Sequence, residues 1–236
     1  MTHETPICFD LDGSLTEHRT PLGDENRAML DRLAKKYKLI MVGAGACPRI
    51  HRQMGEYPID IIGNYGMEEA HVIDGVLTTV RKETSHPDRA YFERTAAYLR
   101  EKYGYTAYRG EGIEFHATGM VTLPLLGTEA LIEDKLAFDP TREKRRKMYA
   151  EVLSLFPDYT VYIGGSSSFD FSEKRFNKYD AIMAYAAREG YEREEILYVG
   201  DDFGDGGGDS HVRLFGMDYV EITDYRTVPE KLAFLL

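Results

Sequence analysis

The sequence has few cysteines, no long apolar run and a shortage of positive charge. Its two cysteines, Cys8 and Cys47, are too few for a disulfide framework, which indicates a reducing compartment and predicts the cytoplasm. A run of about 18 apolar residues is absent, as is a charged segment followed by an apolar one. We therefore expect neither a membrane span nor a secretory signal.

Basic residues are outnumbered, with 29 Lys and Arg against 40 Asp and Glu and a formal net charge of −11. The electric field of this net negative charge repels phosphate backbones and anionic lipids. We therefore expect neither nucleic acid nor a membrane as a partner. The basic run at residues 142–147 contains Glu143 and begins a helical pattern, so we interpret it as a solvated helix face. A small anionic substrate would need locally placed cations.

The 236 residues, 43% of them hydrophobic, are enough for one large or two modest domains. Apolar strand patterns alternate with helical ones up to about residue 83 and again after residue 173, which is typical of a parallel α/β sheet. Between them lies a different pattern, in which a long helix at residues 87–103 precedes clustered strands. These strands are expected at residues 106–109, 113–117, 120–125, 159–163 and 168–172. We predict an α/β core from residues 1–83 and 173–236, with an inserted α+β domain at 84–172 that has an antiparallel sheet plus helices.

Two carboxylates, Asp10 and Asp12, directly follow the first predicted strand. In α/β sheets, ligands bind beyond the carboxyl ends of the strands, so both acids are placed for chemistry. Asp10 is a candidate nucleophile, and Asp12, beside the flexible Gly13, is a candidate general acid/base. The alternative is an ordinary Asx turn, since Asp-Gly is common turn chemistry.

A second apolar strand, at residues 196–199, also ends in acids, Asp201 and Asp202. Asp201, Asp10 and the backbone carbonyl of Asp12 would form an oxygen cage, and such donors near a phosphate favour Mg²⁺. Asp209 or Asp205, in the glycine-rich segment that follows, would add a further metal carboxylate, and the sequence does not decide between them. A turn or helix cap is the alternative role for Asp201 and Asp202.

The segment at residues 7–16 resembles the first motif of the haloacid dehalogenase (HAD) superfamily of phosphotransferases, in which Asp-x-Asp-Gly-Thr/Ser-Leu follows the first strand. The resemblance implies a Rossmannoid core in which Asp10 attacks phosphorus to form an aspartyl phosphate and Asp12 moves the proton. It also implies a lysine beside the nucleophile, and Lys178 stands at the matching place in the order of motifs. Without the resemblance, Lys178 is a solvated residue at the start of a helix.

Residues 109–120, 163–170 and 200–209 are similar to the eukaryotic-type α-phosphomannomutases, which are HAD proteins with a type IIB cap. The similarity runs over nearly the whole chain. It implies that Arg19 lies beside the active site, and that Arg109, Ser168 and Asp170 hold a sugar phosphate from the cap. Pairing of two copies through the cap is a further expectation.

The chain departs from the mutase pattern where Gly43-Ala44-Gly45-Ala46 replaces Gly-Gly-Ser-Asp, losing a phosphate-binding hydroxyl and an acid. Backbone amides from Gly43 to Ala46, at a helix N-terminus, are expected to replace part of that binding. Two cap arginines are replaced by His116 and Thr128.

Three functions follow for the whole sequence. We favour an Mg²⁺-dependent HAD phosphohydrolase acting on a small sugar phosphate. A phosphomannomutase-like mutase and a catalytically weakened sugar-phosphate-binding protein are the alternatives.

Overall fold

The computed structural model describes residues 5–236, which form two compact units. The core unit comprises the described residues up to Glu83 together with Asn177–Asp205 and Asp209–Leu236. The insert unit comprises Thr84–Phe176 and Gly206–Gly208. It continues past residue 172 to Phe176, whose carbonyl accepts a 2.6 Å hydrogen bond from the Ser172 hydroxyl. Within the described part of the chain, every helix is too short or too polar to cross a membrane.

A seven-stranded sheet forms the centre of the core unit. Its strands are β1 (Pro6–Phe9), β2 (Lys38–Val42), β3 (Asp60–Gly63), β4 (Glu68–Ile73), β5 (Val76–Lys82), β10 (Leu197–Gly200) and β11 (Asp218–Glu221). The spatial order is β11-β10-β1-β2-β3-β4-β5, with β11 to β3 parallel and the hairpin β4–β5 antiparallel. Because β10 and β1 are parallel neighbours, the acids that follow them emerge at the same edge of the sheet.

Helices cover both faces of this sheet. They are α1 (Asp24–Leu33), α2 (Cys47–Gln53), α6 (Lys178–Glu189), α7 (Ser210–Leu214) and α8 (Val228–Lys231). Alternate residues of β1 enter different cores: Phe9 packs in the cluster that contains α1, and Cys8 packs in the cluster that contains α6. Burial on both faces explains why these strands are continuously apolar in sequence.

The insert unit is a four-stranded antiparallel sheet with helices. The helices are α3 (Arg89–Tyr103), α4 (Ile132–Phe138) and α5 (Glu143–Leu155), and the strands are β6 (Glu114–Phe115), β7 (Val121–Pro124), β8 (Tyr159–Tyr162) and β9 (Ser168–Glu173). The strand order is β6-β7-β9-β8. Alternate residues such as Phe169 and Phe171 pack against Phe92 and Val152 of the helices. Thr122 and Asp170 are direct cross-strand partners on the opposite face.

Two details of the predicted insert are wrong. Residues 106–109 form no strand, because the Arg109 backbone pairs with Leu126 and Glu129 in a loop rather than in the sheet. The basic run is not uniformly solvated either, since Arg145 is only 1% exposed. Its guanidinium donates to Asp139 at 2.9 Å and to the Gly164 carbonyl at 2.7 Å, so it is a structural cation of the insert.

Candidate active site

Lys178 lies buried between two carboxylates of the core unit. Its Nζ donates to Asp10 Oδ1 at 2.6 Å and to Asp209 Oδ1 at 2.7 Å. Asn177 caps α6 by accepting the Asp180 amide, which fixes Lys178 in the first turn. Burial raises the pKa of Asp10 well above its ordinary value although Lys178 opposes the shift. Burial lowers the pKa of Lys178, but Asp10 and Asp209 raise it well above its ordinary value, so the ammonium is a fixed cation beside Asp10.

Asp209 is 1% exposed and already accepts four hydrogen bonds. Besides Lys178, Oδ1 accepts from the Tyr198 hydroxyl at 2.6 Å, and Oδ2 accepts from the amides of Asp201 at 3.1 Å and Asp202 at 3.0 Å. Burial works against ionisation, but Lys178 and these donors hold the Asp209 pKa below its ordinary value. A carboxylate offers about four lone-pair sites, so these bonds occupy its accepting capacity. Asp209 is therefore placed to orient Lys178, and its predicted part in a metal site stays a prediction.

Asp10, Asp201 and Asp209 together form a group that is able to hold a metal ion. Each offers one oxygen, and the three oxygens lie within 4.8 Å of one another. This oxygen-only set fits Mg²⁺. Burial and the charge of Asp209 raise the pKa of Asp201 to about 6. Asp205 is exposed and outside the group, so the structure brings Asp209, not Asp205, to the acids.

The turn after β1 closes over Asp201. Ser14 Oγ donates to Asp201 Oδ1 at 2.8 Å and lies 3.3 Å from Asp10 Oδ2. Gly13 has a φ of +98°, and a Cβ there would lie 2.5 Å from Asp201 Oδ2. Only glycine combines this left-handed backbone with so close an approach. The Asp-Gly pair is therefore both a turn and a means of placing the acids together.

Asp12 is held by donors on both of its oxygens. Oδ1 accepts from the Arg19 amide at 2.6 Å and from Gln53 Nε2 at 2.7 Å, and Oδ2 accepts from Arg49 Nη1 at 3.2 Å. Burial would raise the Asp12 pKa, but the bonds from Gln53 and Arg19 and the charge of Arg49 bring it below its ordinary value. Asp12 is thus held in the form that accepts a proton. Arg19 acts here through its backbone, and its side chain is exposed.

The segment at residues 43–46, which follows β2, only partly fits the anion binding predicted for its backbone amides. The Gly43 amide donates to the Ile62 carbonyl at 2.9 Å, continuing the β2–β3 ladder, so this N–H is not available to an anion. The Gly45 carbonyl accepts the Asn64 amide at 2.8 Å. Position 45 lacks a side chain, and the Arg49 guanidinium lies against it instead.

The residues predicted to hold the sugar phosphate, Arg109, Ser168 and Asp170, differ in their exposure and in their hydrogen bonds within the insert unit. Arg109 is exposed. The Ser168 hydroxyl donates to the Gly164 carbonyl at 3.0 Å, and Asp170 Oδ1 accepts from Thr122 Oγ1 at 2.7 Å. His116 Nε2 lies 3.0 Å from the same threonine hydroxyl. Ser168 and Asp170 are therefore parts of polar networks within their own unit.

Three residues of the site were missed by sequence reasoning. Arg49 and Gln53 are four residues apart on α2, so the helix presents both to Asp12. In the sequence, the only sign of this role is the four-residue spacing of the two side chains in the helix that directly follows β2. Tyr198 lies inside the apolar strand predicted at residues 196–199, and its hydroxyl in the middle of a buried strand is the available signal, because buried hydroxyls need partners.

Comparison with known proteins supports the resemblance seen in the sequence. Phosphomannomutase of Encephalitozoon cuniculi is 25% identical over 245 residues, which is 97% of this chain and 94% of that protein. Phosphomannomutase of Saccharomyces cerevisiae is 27% identical over 236 residues, covering 95% of this chain and 87% of that protein. No family model matches the chain.

Solved structures share the fold. A Plasmodium falciparum IMP-nucleotidase has a TM-score of 0.72 at 14% identity, covering 99% of this chain and 70% of the other. A HAD subclass IIB sugar phosphatase has a TM-score of 0.62 at 14% identity, covering 98% of this chain and 100% of the other. The predicted fold, a HAD-like parallel-sheet core with an α+β insert, is confirmed, as is the likeness to the phosphomannomutases.

Proposed function

We propose that this chain is an Mg²⁺-dependent phosphohydrolase that cleaves a small sugar phosphate through an aspartyl phosphate on Asp10. Its phosphomannomutase relatives and the HAD phosphatases that share its fold support an enzyme with phosphatase or phosphotransferase activity. The observation that carries the proposal is the contact of Lys178 Nζ with Asp10 Oδ1, at 2.6 Å, beside the independently held Asp12. A nucleophile, a fixed cation and a proton acceptor are the groups that this chemistry needs.

In the first step, Asp10 attacks phosphorus through one of its carboxylate oxygens. The bond from this oxygen to phosphorus forms as the bond from phosphorus to the sugar oxygen breaks. The proton for that leaving oxygen comes through Asp12, which takes it up again from water in the second step. Lys178 stabilises the negative charge that the reacting groups share. Its ammonium group is buried, so water does not screen this interaction.

In the second step, Asp12 accepts a proton from a water molecule while the water oxygen bonds to phosphorus. The bond between phosphorus and Asp10 breaks, which releases inorganic phosphate and restores the carboxylate. The hydrogen bonds from Gln53 and Arg19 favour the ionised form of Asp12 and so support this base role.

The metal would be held by Asp10, Asp201 and the backbone carbonyl of Asp12, with Asp209 orienting these groups. Bound there, Mg²⁺ would neutralise phosphate charge that otherwise repels the acids. Burial and, after it, the charge of Asp209 raise the pKa of Asp201, and a bound cation would relieve the repulsion between these acids.

For the substrate, we propose that residues 84–172 act as a cap whose Arg109, Ser168 and Asp170 select a sugar phosphate in the cytoplasm. A phosphosugar mutase is the second candidate, favoured by relatives that match 95% and 97% of the chain. Hydrolysis is preferred because His116 and Thr128 replace cations that would retain a second phosphate. Thr128 Oγ1 instead accepts the Glu111 amide at 2.9 Å.

The test is phosphate release from a panel of hexose, pentose and polyol phosphates, with and without Mg²⁺, by the wild type and by Asp10→Asn. We expect Mg²⁺-dependent release from at least one sugar phosphate, and none from the variant. Binding of sugar phosphates without turnover by the wild type would favour the catalytically weakened binding protein. Turnover that survives in Asp10→Asn would contradict the proposed nucleophile.

A further inference from the structure

The sheet of the insert unit has one apolar face, which packs against α3 and α5, and one polar face. On the polar face, Glu114 of β6, Thr122 of β7 and Asp170 of β9 are neighbours in register. His116, directly after β6, belongs to the same row, because its Nε2 lies 3.0 Å from Thr122 Oγ1. We call these four residues the polar row.

Hydrogen bonds within the polar row fix the ring of His116. The Thr122 hydroxyl has one proton, which it donates to Asp170 Oδ1 at 2.7 Å. Thr122 Oγ1 therefore accepts from His116, so Nε2 carries a proton, and in the neutral ring Nδ1 has a lone pair for a ligand. The nearest Glu114 oxygen is 3.8 Å from Nδ1, beyond hydrogen-bonding distance, and the His116 side chain is 37% exposed. A ligand can therefore reach Nδ1.

Asp170 is the acceptor at the end of this chain of hydrogen bonds. Burial raises its pKa, but the hydrogen bond from Thr122 and the charges of His116 and Arg145 oppose the shift. These neighbours stabilise the carboxylate, which is the form that accepts from Thr122. Arg145 itself is not accessible to a ligand, since it is 1% exposed and donates to Asp139 at 2.9 Å.

The polar row offers a ligand acceptors rather than protons. Its hydroxyl proton is used by Asp170, and the neighbouring Ser168 gives its own proton to the Gly164 carbonyl at 3.0 Å. Glu114 and Asp170 are acids, and a charge on His116 would cancel only one of them. The four strands contain no lysine or arginine. Such a surface repels a phosphate group, whereas a sugar hydroxyl can donate to its acceptors.

We propose that the polar row binds the uncharged, hydroxyl-bearing part of the substrate, with His116 Nδ1 accepting a hydrogen bond from a sugar or polyol hydroxyl. This inference rests on the proposed function and narrows its substrate class to monophosphate esters. A second phosphate in place of that hydroxyl is rejected, because it brings negative charge and acceptors to a surface that already has both. His116 is then a specificity-determining residue, and Thr122 positions its ring.

The experiment measures kcat/KM of the full chain for three esters, in Mg²⁺ at one fixed neutral pH. The esters are the best hexose monophosphate of the panel, the corresponding hexose bisphosphate, and n-hexyl phosphate, which has a six-carbon chain without hydroxyls. The readout is the ratio of kcat/KM between two esters. A loss of folded enzyme cancels from this ratio, so a merely structural role would leave it unchanged.

Three variants test the polar row. His116→Gln keeps an N–H group for Thr122 but has no acceptor at the position of Nδ1. Thr122→Val removes the hydroxyl that fixes the ring, and His116→Arg replaces the acceptor by a cation. His86→Gln and Thr106→Val are the matched controls, at exposed positions of the same unit.

We expect the wild type to prefer the hexose monophosphate to both other esters. His116→Gln and Thr122→Val should each lower the preference over n-hexyl phosphate by about three- to tenfold, the value of one hydrogen bond. His116→Arg should raise kcat/KM for the bisphosphate relative to the monophosphate by about tenfold or more, because the cation meets the second phosphate. Both controls should keep the wild-type ratios within about twofold.

A wild type that prefers the bisphosphate or n-hexyl phosphate to the hexose monophosphate would overturn the proposal. Variants His116→Gln and Thr122→Val that lower kcat/KM for all three esters by the same factor, or leave it unchanged, would overturn it too. In each of these cases phosphate release by the wild type leaves the proposed phosphohydrolase standing. A wild type that releases phosphate from no ester defeats the proposed function and this inference with it.

Discussion

The Tyr198 hydroxyl donates a 2.6 Å hydrogen bond to Asp209 Oδ1, the same oxygen that receives Lys178 Nζ. The hydroxyl also lies 3.2 Å from Nζ itself. All three groups are buried, and burial together with the charge of Asp209 raises the Tyr198 pKa well above its ordinary value. The tyrosine is therefore a neutral donor that helps hold Lys178 toward Asp10.

Removing this hydroxyl by Tyr198→Phe should lower the free energy of unfolding by about 1.5–3 kcal/mol, the worth of a hydrogen bond to a charged group. Its register partner on β11, Tyr219, is 38% exposed and provides the matched control. Tyr219→Phe should change stability by less than about 0.5 kcal/mol. Equal effects of the two variants in urea unfolding would show that the hydrogen bond to Asp209 contributes nothing.

Catalysis should depend on Asp10 far more than stability does. Asn has nearly the shape of Asp, and Lys178 keeps its ion pair with Asp209, so Asp10→Asn should leave the fold intact while abolishing turnover, because an amide cannot form the acyl phosphate. Asp12→Asn should slow turnover by about 10²–10⁴-fold through the loss of proton transfer. Steady-state rates and thermal unfolding of both variants test this. A wild-type rate and pH–rate profile in Asp12→Asn would contradict its acid/base role.

The sequence was sufficient for the fold class because periodicity and the order of motifs are local signals. The strands that end at Asp10 and at Asp201 were recognisable from apolar runs followed by acids. The partners of Asp12 were not, because the hydrogen bond from Arg49 to Asp12 joins residues 37 positions apart and depends on how α2 packs. The burial of Arg145 was hidden for the same reason: only the fold shows that carbonyls of the Gly164–Ser168 turn surround it.

Metal dependence gives a third prediction. Activity should vanish in excess chelator and return with Mg²⁺, whereas Ca²⁺, which is larger and less strict in geometry, should bind without comparable rates. Asp201→Asn should raise the Mg²⁺ concentration needed for half-maximal activity. Asp205→Asn should not, because Asp205 is exposed and outside the acidic group. Full activity in excess chelator would remove the metal from the mechanism.

The buried ion pair of Asp139 with Arg145 predicts that the insert loses stability at acidic pH. Burial opposes ionisation of Asp139, but hydrogen bonds from Arg145 and Lys144 hold its pKa below the ordinary value. A carboxylate with a lowered folded-state pKa contributes stability above its unfolded pKa of about 3.9 and loses it as the pH falls through the folded value. The free energy of unfolding of the wild type should therefore fall between pH 7 and about pH 3. In Asp139→Asn this fall should be smaller.

At neutral pH, Arg145→Met should destabilise the protein by about 3–5 kcal/mol, since Asp139 is left as an unpaired buried charge. Arg146→Met, at the exposed neighbouring position, should cost less than about 0.5 kcal/mol. Similar destabilisation in the two variants would mean that the basic run is solvated throughout and that the hydrogen bonds of Arg145 are energetically neutral.

The last prediction is that the protein hydrolyses its substrate more readily than it isomerises it. A mutase has to hold a bisphosphorylated intermediate, let it turn round and keep water from the aspartyl phosphate, which demands strong anion binding by the insert. The resemblance to the phosphomannomutases implies that His116 and Thr128 stand where those enzymes have arginines. A charge-assisted hydrogen bond is worth about 1.5–3 kcal/mol, so we expect the absence of two such bonds to weaken retention of the second phosphate by about tens- to thousands-fold.

The measurement supplies mannose 1-phosphate or glucose 1-phosphate with a hexose bisphosphate activator and follows free phosphate and the 6-phosphate product together. We expect free phosphate to dominate. The double variant His116→Arg/Thr128→Arg should shift the ratio toward the 6-phosphate, because the added cations lengthen the stay of the intermediate. Thr128→Val is the control for the hydroxyl, since Thr128 Oγ1 accepts the Glu111 amide and its removal should affect the loop without changing the product ratio. Clean conversion to the 6-phosphate by the wild type, with little phosphate released, would show that the chain is a mutase despite its altered insert.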